Sequence, residues 1–159
     1  MLPSVTRLFA MSAPLRGLLL PERVALGVPA ESREGILAHA ARLLAGGDED
    51  ALRQVNARLK NREALGSTAL GHGCAIPHAR LDTLAQPVAG FLRPRSPVPF
   101  DAPDGVDVSE FFVLLVPKQA DETHLAILAA VAEKLADSRF RLALAACVTS
   151  PEVVALFEL

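Results

Sequence analysis

Apolar residues fall along the chain with two different spacings, and the switches between them mark its elements. The stretch RVALGV, Arg23 to Val28, predicts a short strand. Ser32 then predicts the cap of a helix in which Ile36, Leu37, Ala40, Leu43 and Leu44 share one face, closed by Gly46 and Gly47. A second helix is expected from about Asp48 to Lys60, with Leu52, Val55 and Leu59 spaced for burial. Three strand candidates follow: GCAIPH, VAGFLR and the strongly apolar EFFVLLVP, the last two separated by the turn-rich PRSPVPFDAPDG. Beyond them the chain reads as three helices, DETHLAILAAVAEKLAD, SRFRLALAACV and SPEVVALFEL, the third with Ser150 as its expected cap ahead of Pro151.

The predicted order is therefore β-α-α-β-β-β-α-α-α, with no internal repeat, low-complexity linker or charge block. It implies a single α/β domain of three layers, a mixed sheet of about four to five strands flanked by helices on both faces. A chain of 159 residues that is 51% apolar suffices for one such core and hardly for two.

Charge and composition narrow the partners. The formal net charge is −2 from 16 basic and 18 acidic residues, Trp and Tyr are absent, and the seven Phe are not interleaved with basic residues. Neither a polyanion footprint nor a base-stacking platform results, so nucleic acid is not expected as a partner. No stretch reaches the ~18 uninterrupted apolar residues of a membrane span. Cys74 and Cys147 lack a CxxC spacing and sit in apolar surroundings, which reads as reduced core thiols and a cytoplasmic setting. The short apolar stretch from Leu8 to Leu15 contains Pro14 and is followed by Arg16, which argues against a secretory signal.

The candidate chemistry lies in histidines. His39 borders its helix's apolar face and reads as a solvated imidazole. His72, Cys74 and His78 invite a metal reading, but in an extended segment at ~3.3 Å per residue the two histidines stand ~20 Å apart, so converging on one ion would need a turn or a remote ligand. His78 follows Pro77, whose fixed φ and missing N–H favour a strand end and present the next side chain at the sheet rim. His124 falls at the third position of a helix capped by Asp121, where free N–H groups favour an anion and a neutral ring. Arg62, at the end of a helix before Gly66, Ser67 and Thr68, carries a guanidinium suited to phosphate oxygens. Singly, each has an ordinary explanation as a strand-ending histidine, a polar first-turn residue and a solvated arginine. Together they suit a transferable phosphoryl group, one ring as nucleophile and the others stabilising charge.

These segments resemble the fructose/mannitol-type IIA proteins of the bacterial phosphotransferase system, and most closely the nitrogen-branch regulatory members. REALGSTALGHGCAIPHARL is similar to that family's signature block, FDAPDG to its following turn, FFVLLVP to its central strand and THLAIL to its second histidine segment. The spacings of 16 residues from Arg62 to His78 and 46 from His78 to His124 agree with the family pattern. The resemblance covers residues 18–159 as one domain and leaves 1–17 as an N-terminal extension of undetermined order. Ala79 stands where the family usually has glycine, and His72 and Cys74 where it has small or polar residues.

The resemblance implies that His78 is the phosphorylated histidine, His124 its hydrogen-bonding partner and Arg62 the phosphoryl-oxygen ligand, with no metal or cofactor. It implies as partners an HPr-like phosphocarrier and regulated targets of kinase or transporter type, with no stable membrane insertion and an open oligomeric state. Two alternatives stay open, a sugar-specific IIA component passing phosphate to a IIB partner, and a binding module acting mainly unphosphorylated. The docking face around His78 is expected to be apolar and lightly charged, with Ala75, Ile76, Ala79 and Leu81 as its candidates.

Overall fold

The computed structural model describes residues 13–119 and 121–159. Most of the proposed N-terminal extension, residues 1–12 including the start of the Leu8–Leu15 stretch, therefore lies outside the described residues. After short 3-10 turns at Ala13–Leu15 and Pro21–Arg23, the elements are β1 (Val24–Val28), α1 (Arg33–Ala45), α2 (Glu49–Ala64), β2 (Ala69–Gly71), β3 (Cys74–Ala75), β4 (His78–Leu81), β5 (Val88–Pro94), β6 (Glu110–Pro117), α3 (Glu122–Ala136), α4 (Ser138–Ala146) and α5 (Ser150–Phe157). The expected α/β class and element order hold.

β6 organises the sheet. It pairs antiparallel with β5, which pairs parallel with β1, while its other edge pairs parallel with β3 and β4. Alternate residues serve opposite cores: Phe111, Val113 and Leu115 pack with Ile36, Ala40, Val55 and Leu59 from α1 and α2. Phe112, Leu114 and Val116 pack with Ile127, Val131, Leu144 and Phe157 from the three later helices. Burial on both faces explains why EFFVLLVP shows no polar alternation.

The sheet has six strands rather than four to five: GCAIPH, expected as one strand, is broken into β3 and the start of β4, and β2 at Ala69–Gly71 falls outside every expected strand. Gly71, His72 and Gly73 all adopt positive φ (92°, 55° and 76°), which reverses the chain between β2 and β3. Pro77 then splits β3 from β4, since it has no N–H to give. The two pieces keep one register along β6, Cys74 opposite Glu110 and His78 opposite Leu114, and the Pro77 carbonyl still accepts the Leu114 N–H at 3.0 Å.

The helix caps follow local chemistry. Ser32 and Asp48 cap α1 and α2 as the sequence suggests, and Gly46 ends α1 in the left-handed conformation. The last helix departs from expectation: Thr149, not Ser150, is its cap, and its hydroxyl accepts the Glu152 N–H. Pro151 thereby occupies the first turn one position later, where its missing N–H still costs nothing.

One polar link ties the two central strands to α4. Arg93 on β5 donates from Nε to both Glu110 oxygens at 3.1 Å, and from its two Nη atoms to the Cys147 and Leu144 carbonyls at 2.6 and 2.7 Å. Burial pushes the Glu110 carboxyl above its ordinary range, and Arg93 pulls it back. Arg93→Met strands this carboxylate and the helix-end carbonyls, so urea denaturation should show a loss of about 3–5 kcal/mol. The Arg93→Met/Glu110→Leu double variant should recover a large part of that loss.

Candidate functional site

His78, His124 and Arg62 line one depression of about 380 Å³ on the surface, although they come from a strand, a helix start and a helix end. The three are held by separate local devices. Pro77 ends the broken strand, so β4 begins at His78 with Ala79 and Leu81 turned into the core and His78 and Arg80 turned out. α3 begins four residues beyond the end of β6, and that brings its first turn over the same edge of the sheet. α2 arrives from the opposite layer, packed against β4, and places Arg62 in its last turn.

The turn after Arg62 is fixed by a buried carboxylate. Glu63, 3% exposed, accepts the Thr68 N–H at 2.8 Å and the Thr68 hydroxyl at 2.7 Å. Within that turn Nη1 of Arg62 donates to the Gly66 carbonyl at 3.0 Å, so the guanidinium is tethered at the mouth of the depression. Sequence inspection passed over Glu63, because a glutamate near a helix end ordinarily reads as solvated. Arg58, Asn61 and Arg80 were passed over too. Only the spacing of Arg58 from Arg62, one helical turn, and of Arg80 from His78, one strand repeat, points to the depression, and Asn61, adjacent to Arg62, has no such signal.

The hydrogen bonds assign opposite tautomers to the two rings. Nδ1 of His78 lies 2.8 Å from the Ile76 carbonyl, which can only accept, so Nδ1 carries the proton and Nε2 the lone pair. Nδ1 of His124 accepts the Asp121 backbone N–H at 3.1 Å, so its proton sits on Nε2. The Asp121 carboxylate in turn accepts the Thr123 N–H, completing a reciprocal cap in which His124 is an integral part. Burial lowers the His78 pKa below the ordinary histidine value and the Arg62 charge lowers it further, opposed by the Ile76 carbonyl and by Glu63. A neutral ring with a free nitrogen results. Both rings are partly exposed, the His124 side chain to 16%.

The four residues expected to form an apolar docking face are buried. Ala75, Ile76, Ala79 and Leu81 are 0 to 6% exposed and belong to the two cores, because a strand flanked by helices on both sides buries its small residues. The apolar rim is instead formed by Leu65, 85% exposed, and Leu125, 57% exposed. Cys74 and Cys147 are free and buried, and desolvation pushes the Cys74 thiol up to about 11. His39 lies on α1, away from the depression, and His72 sits in the β2–β3 turn, its N–H bonded to Asp104. Among the described residues no three His, Cys, Asp or Glu side chains converge as metal ligands, and no helix is long and apolar enough to cross a membrane.

Comparison with known proteins gives a consistent picture. Residues 18–159 match the family model described as phosphoenolpyruvate-dependent sugar phosphotransferase system, EIIA 2. The chain is 40% identical over 148 residues to the nitrogen regulatory protein of Pseudomonas aeruginosa, covering 91% of this chain and 93% of that one. It is 34% identical over 116 residues to the fructose-specific EIIA component of Haloferax volcanii, covering 72% and 75%. Its structure superposes on that of the nitrogen regulatory protein IIA-Ntr from Neisseria meningitidis with a TM-score of 0.84 at 37% identity, covering 88% of this chain and 96% of the other.

The charges around His78 set the sign of its titration. Followed by NMR, His78 should titrate below the ordinary histidine value of about 6.5. Arg62→Gln should raise that midpoint by removing a repelling cation, and Glu63→Gln should lower it by removing an attracting anion. Nitrogen shifts near neutral pH should report a proton on Nδ1 of His78 and on Nε2 of His124. The same tautomer in both rings would contradict the assignment.

Proposed function

The chain belongs to the phosphoenolpyruvate-dependent sugar phosphotransferase system EIIA 2 family, and we propose that it carries a phosphoryl group on Nε2 of His78, taken from an HPr-like phosphocarrier protein. It is a phosphocarrier of the nitrogen branch. The similarity to a nitrogen regulatory protein spans 91% of the chain, against 72% for the fructose-specific relative, and the sugar-uptake alternative is not favoured. In this reading the phosphorylated and unphosphorylated forms regulate target proteins of kinase or transporter type.

The opposed tautomers of the two rings at the mouth of one depression carry the assignment. The Nε2 lone pair of His78 attacks phosphorus while the donor's P–N bond breaks and its electron pair returns to the donor ring. His78 gains positive character as the new P–N bond forms, and its Nδ1–H is already directed at the Ile76 carbonyl, which stabilises that charge. Nε2–H of His124 is free to donate to a phosphoryl oxygen, and the positive end of α3 adds to it. Arg62 neutralises the remaining oxygens with a planar fork. No proton has to leave His78 first, because burial already keeps the ring neutral. Ser67, the nearby hydroxyl, is occupied, donating to the Phe100 carbonyl at 2.5 Å and accepting the Ala69 N–H.

Incubation with phosphorylated carrier tests the roles separately. His78→Ala should take no label. His124→Ala should be labelled more slowly, by on the order of 10²- to 10³-fold, the effect of removing one charge-stabilising donor. The label should be lost in acid and survive in base, as a phosphoramidate does. An acid-stable label, or one retained in His78→Ala, overturns the assignment. A regulatory phenotype indifferent to His78→Ala would favour the binding-module alternative.

A further inference from the structure

His124 serves the helix and the depression at once. It is the third residue of α3, and its ring reaches back to the helix start, where Nδ1 accepts the Asp121 backbone N–H at 3.1 Å. Glutamate or glutamine ordinarily closes such a reciprocal cap. An imidazole closes it with one nitrogen and leaves the second, Nε2, free at a ring that lines the depression. The ring is therefore aimed by whatever fixes the N–H of Asp121. Upstream, the backbone is tied to the strand that carries His78, since the Lys118 N–H donates to the Leu81 carbonyl at 3.1 Å. Downstream, the Asp121 carboxylate accepts the Thr123 N–H at 2.9 Å, and the Asp121 carbonyl accepts the His124 and Leu125 N–H groups at 3.2 and 3.3 Å. Those bonds hold Asp121 extended, at φ −100° and ψ −169°, with its N–H turned to the ring.

Charge is the competing explanation for an aspartate beside this ring. Oδ1 of Asp121 stands 3.4 Å from Nδ1 of His124, but Nδ1 presents a lone pair there, so no proton lies between the two atoms. The carboxylate's own bond goes to Thr123 instead. Its side chain is 68% exposed, where solvent screens its field, and Asp121 is not among the described residues that line the depression. A carboxylate aimed at a phosphoryl group would moreover repel it. Asp121 thus reaches the depression only through the backbone it fixes and the ring which that backbone holds.

We propose that Asp121 is a positioning residue for phosphoryl transfer, holding Nε2–H of His124 on the phosphoryl oxygens through the helix cap and not through its charge. This inference rests on the phosphocarrier reading. It separates two substitutions that a charge role would treat alike. Asparagine caps a helix as well as aspartate does and carries no charge, so it replaces Asp121, whereas alanine has no side-chain acceptor and does not. The effect falls on the chemical step, because the ring is misaimed while the surface that meets the carrier is unchanged.

The experiment measures labelling of the full chain by a phosphorylated HPr-type carrier over a range of carrier concentrations. Asp121→Ala should lower the maximal rate about tenfold, less than the loss on deleting the donor itself, and leave the half-saturating carrier concentration unchanged. Asp121→Asn should label at the wild-type rate. Ser32→Ala, which removes the cap of α1 outside the depression, controls for helix stability: its thermal midpoint should fall much as that of Asp121→Ala does, with labelling unaffected. Added to His124→Ala, Asp121→Ala should slow labelling no further, because it acts only through that ring. By NMR, a nitrogen–nitrogen coupling across the Asp121 N–H to Nδ1 bond should be present in the wild type and in Asp121→Asn and lost in Asp121→Ala. A wild-type maximal rate in Asp121→Ala, equal slowing by Asn and Ala, a change confined to half-saturation, or further slowing in the double variant overturns the positioning inference alone. Absence of label on the wild-type chain overturns the phosphocarrier reading, and the positioning inference with it.

Discussion

The backbone ladder between β4 and β6 is the constraint on which the site depends. β6 is buried on both faces, so it can shift neither along its axis nor about it without moving two cores at once. His78 is paired to Leu114 in the middle of that strand, and α3 begins shortly after the strand ends. His78 and His124 thus share a single rigid reference, one through strand pairing and the other through a short connection. Arg62 reaches the same place through α2, which packs on β4 itself. The Arg93–Glu110 link secures the far end of β6 in turn, although it touches nothing at the reactive edge.

Much of this was legible in the chain, and the exceptions have physical causes. The long apolar run of β6 and the periodic helices announced themselves because burial of whole faces dominates their composition. The split of GCAIPH did not, since a strand interrupted by one proline keeps its register and its apolar character. The cap at Thr149 lost out to Ser150 in the reading because both hydroxyls precede Pro151 and only backbone geometry distinguishes them. The burial of Ala75, Ile76, Ala79 and Leu81 was missed for a related reason. Small apolar residues beside a reactive group look like an accommodating surface, but in a strand covered from both sides they are the surface of a core.

The site's chemistry was legible as residue types and not as states. Histidine, histidine and arginine at those separations suit an anion, but residue types say nothing of where each ring carries its proton. That distinction comes from two short backbone contacts, a carbonyl two residues before His78 and an N–H three residues before His124. The carbonyl holds the proton on Nδ1 of His78 and leaves Nε2 with a lone pair, while the N–H does the reverse at His124. Glu63 belongs to the same category. Its role follows from burial, which converts an ordinary helix-end carboxylate into the fastener of the turn that presents Arg62.

Because each ring is oriented by its own segment, neither needs the other in order to be correct. Ile76 and His78 form one local unit and Asp121 and His124 another, each closed within four residues of chain. A shift of the sheet can therefore carry a ring with its segment without disturbing the contact that fixes its proton. Placement and proton position are thus set separately, the first by the sheet and the second by each ring's own backbone partner.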